Sequence, residues 1–178
     1  PAYVREAKPT VWFSVPSVVR AFDRIRVLTE KSFSSIRLSL FCGEALYWSD
    51  VKAWKNAVGE SQLVNLYGPT ECTIAVGMYA LNEHELEGIV PIGEPFIDHD
   101  FSVKNASDGK GELIISGPQV FDGYIGRPDQ PFVEQEGKKW YRTGDLVSKD
   151  ENGIFHFHGR PDDQVKIRGH RVELGEID

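Results

Sequence analysis

An apolar run that breaks at Gly68-Pro69 restricts this chain more than any other stretch. Gln62 to Leu66 reads as a buried strand, and a Gly-Pro pair turns the backbone and presents whatever flanks it. The flanking groups are an aromatic ring (Tyr67), a hydroxyl (Thr70) and a carboxylate (Glu71). A flat ring can stack on a purine, a hydroxyl can hydrogen-bond a phosphate, and a carboxylate offers magnesium the hard oxygens it needs. Open α/β sheets bind ligands at this end of their strands. The plainer reading of Asn65 to Glu71 is a turn whose Tyr packs inward and whose Glu is solvated.

Upstream, the alternation of elements is that of a parallel sheet. Val11 to Val15 is a short strand stopped by Pro16. Ser17 can cap a helix over Val18 to Leu28 that turns Val18, Val19, Phe22 and Ile25 to one face. Ile36 to Leu40 alternates and runs through Phe41-Cys42 into the Gly43-Glu44 turn. Ser49-Asp50 starts a second helix, with Val51, Trp54, Ala57 and Val58 inward and Gly59 as its stop. Strand, helix, strand, helix, strand predicts an α/β unit with a parallel sheet over residues 1–90.

The character changes between Asn82 and Pro95, an acidic, loop-like stretch punctuated by Pro91, Gly93 and Pro95. From Phe96 the pattern is short strands and tight turns. Ile97, His99, Phe101 and Val103 alternate, and Asn105 to Gly111 is a turn cluster. Glu112 to Ser116 and Lys138 to Arg142 read as strands, and Asp150 to Gly153 is a hairpin signal before Ile154 to His158. A small distorted β-barrel or curled sheet is expected over 91–161, without long helices. His156 and His158 share a strand face and could pair on a metal, although no third ligand lies nearby in sequence. In the last stretch Val165 and Ile167 point one way, Lys166 and Arg168 the other.

Composition narrows the function. The 178 residues are 40% hydrophobic and 26% charged, which is globular composition. A net charge of −7 without a basic stripe speaks against nucleic acid as the main partner. No apolar stretch has the length of a membrane span, and Pro1 to Arg5 lacks a signal-peptide pattern, so a cytoplasmic protein without membrane contact is expected. Cys42 and Cys72 sit in separate motifs and predict reduced thiols rather than a disulfide framework.

With these stretches in place, the chain resembles the adenylate-forming (AMP-forming ligase) enzymes. The resemblance is to the amino-acid-activating branch: adenylation domains of non-ribosomal peptide synthetases and D-alanine–carrier protein ligases. It rests on Phe41-Cys42-Gly43-Glu44-Ala45-Leu46, on Asn65 to Glu71, on Gly111 to Gly117 with Gly123-Tyr124, on Tyr141-Arg142-Thr143-Gly144-Asp145, and on Gly159 to Glu176. It implies an ATP-dependent ligase that turns a carboxylate into an acyl-adenylate and passes the acyl group to a carrier protein's phosphopantetheine thiol. Catalysis of that kind is mostly positioning and neutralisation of phosphate charge.

The resemblance also implies roles. Tyr67 would stack on adenine, with Asn65 and the Gly43-Glu44 turn near the base. Thr70 would contact the phosphate and Glu71 would hold Mg2+. Asp145, taken to end a strand behind Thr143-Gly144, would accept both ribose hydroxyls, the alternative being an exposed turn carboxylate. Arg160 would reach the ribose–phosphate region. Asp162 would be the hinge of a C-terminal lid, and Lys166 and Gly169 would lie on the lid face that meets the thioester-forming site. Arg168, Arg171 and Glu173 read as a solvated strand face. Ser14, Leu40, Cys42, Leu66, Ile74 and Ala75 would line the substrate pocket. That wall is neutral and mostly apolar, so a charged substrate side chain would go unpaired there, and a small neutral amino acid, alanine first, is expected.

Three parts of the family pattern have no counterpart in these residues: the Ser/Thr/Gly-rich phosphate loop, the aspartate that anchors the substrate amino group, and the lysine near the C-terminus. The lid is expected to stop after its first strand, within residues 162–178. A chain of this extent is expected to be part of a ligase and inactive by itself. An acyl- or aryl-CoA ligase is the alternative within the enzymes, against which the Ile167 to Glu176 ending stands. A non-catalytic module that binds a nucleotide or a carrier protein is the alternative outside them.

Overall fold

A computed structural model describes residues 2–81, 87–161, 164–167 and 170–173. The first half opens with a short helix, α1 (Ala2–Ala7), which the sequence pattern does not announce. There follow β1 (Val11–Ser14), α2 (Pro16–Arg24), β2 (Leu38–Phe41), α3 (Trp48–Val58) and β3 (Gln62–Tyr67). β1, β2 and β3 pair in parallel, Val11 facing Leu38 and Leu38 facing Gln62. This is the parallel sheet that the alternation predicts. Two antiparallel strands extend it, β4 (Gly77–Ala80) beside β3 and β5 (Glu94–Pro95) beside β4.

Helix boundaries differ from expectation for physical reasons. α2 begins at Pro16, whose fixed φ and missing N–H suit the first helical position. Its N-terminus is capped by a distant carboxylate rather than by Ser17's own hydroxyl. Glu44 accepts the Ser17 N–H at 2.9 Å and the Ser17 hydroxyl at 3.0 Å, and pairs with Arg20 at 2.9 Å. The helix ends at Arg24, not near Leu28, and Ile25 is 59% exposed instead of joining the buried face. α3 begins at Trp48, just ahead of the expected Ser49-Asp50 start, and Gly59 closes it with its N–H on Lys55 O at 2.8 Å. Val51, Trp54, Ala57 and Val58 are buried as expected, Trp54 edge-on to Phe41 of β2. Asp50 pairs with Arg20 at 2.6 Å; burial raises its carboxyl above the usual range and Arg20 offsets part of that.

The second half is antiparallel: β6 (Asp100–Ser107), β7 (Lys110–Ser116), β8 (Phe132–Gln135), β9 (Lys138–Lys149) and β10 (Phe155–Phe157). No helix lies between residues 96 and 160. The order is β10-β9-β7-β6, with β8 also on β9. Among the described residues no pairing joins β6 to β10, so of the two expected shapes the pairing matches the curled sheet. Several expectations are corrected in detail. Ile97 is 90% exposed and precedes the strand, which starts only at Asp100. The turn cluster at Asn105–Gly111 shrinks to a hairpin tip, because β6 runs to Ser107 and β7 resumes at Lys110. β8 was not expected. β9 continues through Arg142 to Lys149, so Asp145 lies within a strand rather than at the end of one.

That continuation is not regular. Glu112 of β7 faces Leu146, whereas Ile114 faces Arg142, so Thr143, Gly144 and Asp145 together oppose Leu113. Extra residues on one strand make a bulge, which bends the sheet and re-aims side chains. Beyond this, β11 (Gln164–Ile167) pairs with β12 (His170–Glu173), so two strands stand where one was expected. Asp162, Arg168, Gly169 and the Glu176-Ile177-Asp178 end lie outside the described residues, as does most of the acidic stretch after Leu81.

Two hydrophobic clusters result. Val19, Phe33, Phe41, Leu46, Trp54 and Leu63 belong to the first. The second gathers Phe101, Leu113, Ile115, Tyr141, Val147 and Phe155, and takes in Tyr67, Cys72 and Val76 from the end of β3 and its loop. The sheets meet at Gly93, which exchanges backbone hydrogen bonds with Phe155, N–H to O at 3.2 Å and O from N–H at 3.0 Å. Its φ is +83°, and a Cβ there would stand 1.8 Å from Met78 O. Gly93→Ala should therefore cost about 3 kcal/mol or more. A urea titration should show a clearly lower midpoint at similar slope; an unchanged midpoint would show that this crossing tolerates a side chain.

Candidate functional site

The site grows from the end of β3. Asn65 is buried there and its side-chain amide donates to Pro91 O at 2.8 Å, tying the strand to the segment that leads into β5. After Tyr67 the chain leaves the sheet at Gly68 and returns at once, the Val76 N–H reaching Tyr67 O at 2.8 Å. Gly68 is needed because a Cβ would lie 2.7 Å from Ala75 Cα and from Ile74 O. Inside this loop a single 3-10 turn holds Thr70, Glu71 and Cys72, and then Thr73 and Ile74 adopt φ of +55° and +76°. β-branched residues are costly in that region, so outside contacts must hold them.

Both sheets supply those contacts. Tyr67 is buried edge-on against Phe101 of β6, and its hydroxyl donates to Asp145 Oδ2 across 78 positions of sequence. Burial, and after it the neighbouring Asp145 carboxylate, push the Tyr67 phenol well above its usual range, so the hydroxyl stays a donor. Asp145 Oδ1 accepts Arg160 Nη1 at 2.9 Å, and the same nitrogen donates to Thr143 O at 2.7 Å. The bulge makes this possible. The Thr143 hydroxyl donates to Leu113 O at 2.8 Å and accepts the Asp145 N–H at 2.9 Å, while Glu112 accepts the Gly144 N–H at 3.1 Å. A Cβ on Gly144, whose φ is +72°, would meet Arg160 Nη2 at 2.4 Å, so glycine gives the guanidinium room to reach the carboxylate.

Glu71 is 8% exposed, which departs from the solvated reading. Its Oε1 accepts the Tyr124 hydroxyl, and its backbone carbonyl accepts the Phe121 N–H at 2.9 Å. Tyr124 is itself held: its N–H donates to Gln130 Oε1 at 2.7 Å and its carbonyl accepts Gln130 Nε2 at 2.9 Å. The donor set suits magnesium, which takes hard oxygen and binds through one or two carboxylates plus substrate phosphates. Thr70, next to Glu71, is exposed.

Of the other predicted residues, Gly43 has φ +94° in the turn after β2, and Glu44's carboxylate is engaged with α2 rather than directed along the strand end. Leu40 pairs with Val64, and Leu66 with Met78, which puts Leu40 and Leu66 on one face. Cys42 Sγ lies 3.6 Å from Ile74 O, so Cys42, Ile74 and Ala75 meet at the loop. Ser14 lies beside Cys42, its carbonyl accepting the Cys42 N–H at 3.2 Å, but its hydroxyl accepts Trp12 Nε1 at 2.8 Å on the opposite, helix-covered face. Lys166 lies in β11 opposite Arg171, and Asp162 lies outside the described residues. His156 pairs with Asp150 at 2.9 Å and His158 with Ser148 at 2.7 Å, and no group of metal-ligating side chains gathers among the described residues. Sequence reasoning missed Tyr124 and Gln130 as functional residues; the Gly123-Tyr124 dipeptide contributes to the resemblance, which gives it no role.

A ring, a carboxylate and a guanidinium gather beside the β3 strand end, the place where proteins of the open α/β-sheet class take their ligands. The AMP-binding enzyme family matches residues 1–125, and the chain belongs to that family. Enterobactin synthase component F of Escherichia coli (strain K12) is 37% identical over 184 residues, covering 92% of this chain and 14% of that protein. A D-alanine–D-alanyl carrier protein ligase of Bacillus cytotoxicus is 32% identical over 188 residues, covering 99% of this chain and 37% of the ligase. Among solved structures, the Vibrio cholerae adenylation domain AlmE in complex with glycyl-adenosine-5'-phosphate matches with a TM-score of 0.89 at 40% identity, over 99% of this chain and 36% of that one. The chain thus spans well under half the length of these relatives.

Cys42 and Cys72 are not joined in a disulfide, and both are buried. Burial, and then Glu71 beside it, push the Cys72 thiol up to about 12. Such a thiol is ionised to only about one part in ten thousand at pH 8, and the thiolate is the reactive form. Cys72, at 0% exposure, should resist iodoacetamide at pH 8 and react once urea unfolds the protein. Mass-spectrometric labelling of Cys72 in the native protein within minutes would contradict this.

Proposed function

We propose that this chain is part of an ATP-dependent ligase that activates an amino acid as its aminoacyl-adenylate and transfers it to a phosphopantetheinylated carrier protein. The observation that carries the reading is the convergence of Tyr67 and Arg160 on Asp145, one strand-end aromatic and one guanidinium on one carboxylate. An ionised carboxylate has about four acceptor sites, and these two bonds take one on each oxygen. The remaining capacity suits the neighbouring hydroxyls of a ribose. Tyr67 would face the base, with Asn65 and the Gly43-Glu44 turn shaping its surroundings. Thr70 would bond the phosphate and Arg160 would reach it from the far side of Asp145. Glu71, oriented by Tyr124, would hold Mg2+, which when bound neutralises phosphate charge.

Leu40, Cys42, Leu66, Ile74 and Ala75 form the wall proposed for the substrate side chain, with Ser14 behind it. That wall supports a small neutral amino acid, as do the AlmE complex with glycyl-adenosine-5'-phosphate and the D-alanine named for the Bacillus cytotoxicus ligase. The carrier partner is supported by the name of the Bacillus cytotoxicus ligase. Residues 1–90 and 91–161 are proposed as the two subdomains of the nucleotide-binding part. Residues 162–178 are proposed as the hinge and beginning of a lid, with Lys166 on it. ATP as substrate and reduced thiols fit a cytoplasmic setting. No helix among the described residues is long and apolar enough to cross a membrane.

The test uses the complete protein that carries this segment and follows amino-acid-dependent exchange of pyrophosphate into ATP. Asp145→Ala should weaken ATP binding tenfold or more, since a hydrogen bond to a charged group is worth about 1.5–3 kcal/mol. Tyr67→Phe keeps the ring and should lose less. Glu71→Ala should impair the magnesium-dependent reaction. Unchanged exchange by Asp145→Ala or Glu71→Ala would overturn the corresponding role.

Asp162 is proposed to touch no substrate and to serve as the pivot between the two half-reactions. Asp162→Pro should therefore slow loading of the carrier thiol while leaving pyrophosphate exchange largely intact. Equal damage to both half-reactions would remove the hinge assignment.

A further inference from the structure

Gln119 lies on the loop that follows β7, where the family resemblance gives it no role. Its side-chain amide nitrogen sits 3.4 Å from Cys72 O, 3.3 Å from Thr73 O and 3.1 Å from Ala75 O. Its own backbone carbonyl accepts the Thr73 hydroxyl at 3.2 Å. A carboxamide has two N–H donors and can share them among converging carbonyls. Those carbonyls converge because Thr73 and Ile74 are both left-handed, which folds the backbone around a central donor. The loop and the donor are therefore complementary: the strained turn directs its oxygens inward, and Gln119 satisfies them.

Gln119 is in turn fixed from behind. Its N–H donates to His99 Nε2 at 3.4 Å, and His99 Nδ1 lies 3.1 Å from Ile97 O. Gly117 lets that ring lie close, since a Cβ there would stand 2.4 Å from His99 Cδ2. Along the same loop the Phe121 N–H holds Glu71 O at 2.9 Å. The stretch from Gly117 to Phe121 thus grips the β3–β4 loop from the second sheet.

We propose that Gln119 is a positioning residue for the amino-acid substrate, holding the Thr73-Ile74-Ala75 turn so that Ile74 and Ala75 form the pocket wall. The role rests on the pocket assigned under the proposed function. Ile74 is 64% exposed, so packing of its own side chain does little to fix where it stands. Its backbone is held by Cys42 on one side and by the turn that Gln119 closes on the other. Glutamate in place of Gln119 would have nearly the same shape but would turn a carboxylate toward three carbonyl oxygens. Methionine would have the same length without any donor.

The test compares Gln119→Glu and Gln119→Met with the parent in the complete protein, with circular dichroism to confirm folding. Pyrophosphate exchange should show KM for the amino acid rising about tenfold for Gln119→Met, the loss expected for one to two lost hydrogen bonds, and further for Gln119→Glu. KM for ATP should change less than about twofold, because the hydrogen bonds that join Tyr67, Asp145 and Arg160 do not run through Gln119. Hydrogen exchange should quicken for the amides of residues 73–77 and stay unchanged over β9. Folded variants with an unchanged KM for the amino acid, or with both KM values raised alike, would overturn the proposal. If Gln119→Glu does not fold, Gln119→Met decides. If the parent activates no amino acid, the proposed function fails, and hydrogen exchange alone decides whether Gln119 holds the turn: unchanged rates over 73–77 would refute it.

Discussion

The Asp145 carboxylate is the point on which the two halves of this molecule agree. Tyr67 comes to it from the end of the parallel sheet and Arg160 from the segment that follows β10. A nearly buried carboxylate is stable only when its oxygens are paired. Here each oxygen has one partner, drawn from a different part of the chain. Neither sheet could hold this group alone, and removing either partner would leave charge or hydroxyl in an apolar cluster. The nucleotide site proposed above is thus built into the junction that keeps the sheets in register.

The junction depends on irregularities more than on regular structure. β9 carries β7 along one edge and both β8 and β10 along the other, so it is shared by three strands. The bulge at Thr143-Gly144-Asp145 falls between the β8 and β10 pairings, where Pro131 O and Gly159 O accept the N–H groups of Arg142 and Leu146 at 2.8 Å each. An uninterrupted ladder would leave no room for Arg160 to approach. Glycine at 93 lets two backbones touch, and glycine at 144 leaves room for the Arg160 guanidinium. Cooperation between local conformation and distant partner is the expected signature of a site that folding has to assemble.

Much of this was legible in the sequence, and the rest was hidden for an identifiable reason. Period-two runs and turn residues are local signals, so the parallel strands, the inward face of α3 and the helix-free second half could be read directly. The motif residues Tyr67, Glu71 and Asp145 could be picked out because each stands beside a glycine or close to a proline that exposes it. What could not be read was partnership. Ser17 looked like a cap because Ser commonly caps, whereas Glu44, 27 positions away, does that work. Asp145 looked like a strand end because Gly144 interrupts the pattern, and only pairing with β7 reveals a bulge inside a longer strand. Ser14 was grouped with Leu40 by resemblance, and strand alternation separates them.

Three of the contacts that shape the β3–β4 loop reach across the same gap in sequence. Tyr67 looks to Asp145, Glu71 to Tyr124 and Thr73 to Gln119, at separations of 78, 53 and 46 positions. Any exchange of segments between relatives with a crossover between Val76 and Gly117 would split all these pairs at once. A pocket loop moved by itself would arrive with its carbonyls turned inward and nothing to receive them. Recombination that respects the fold would have to carry two separate stretches of chain together, although only one of them touches the proposed substrate.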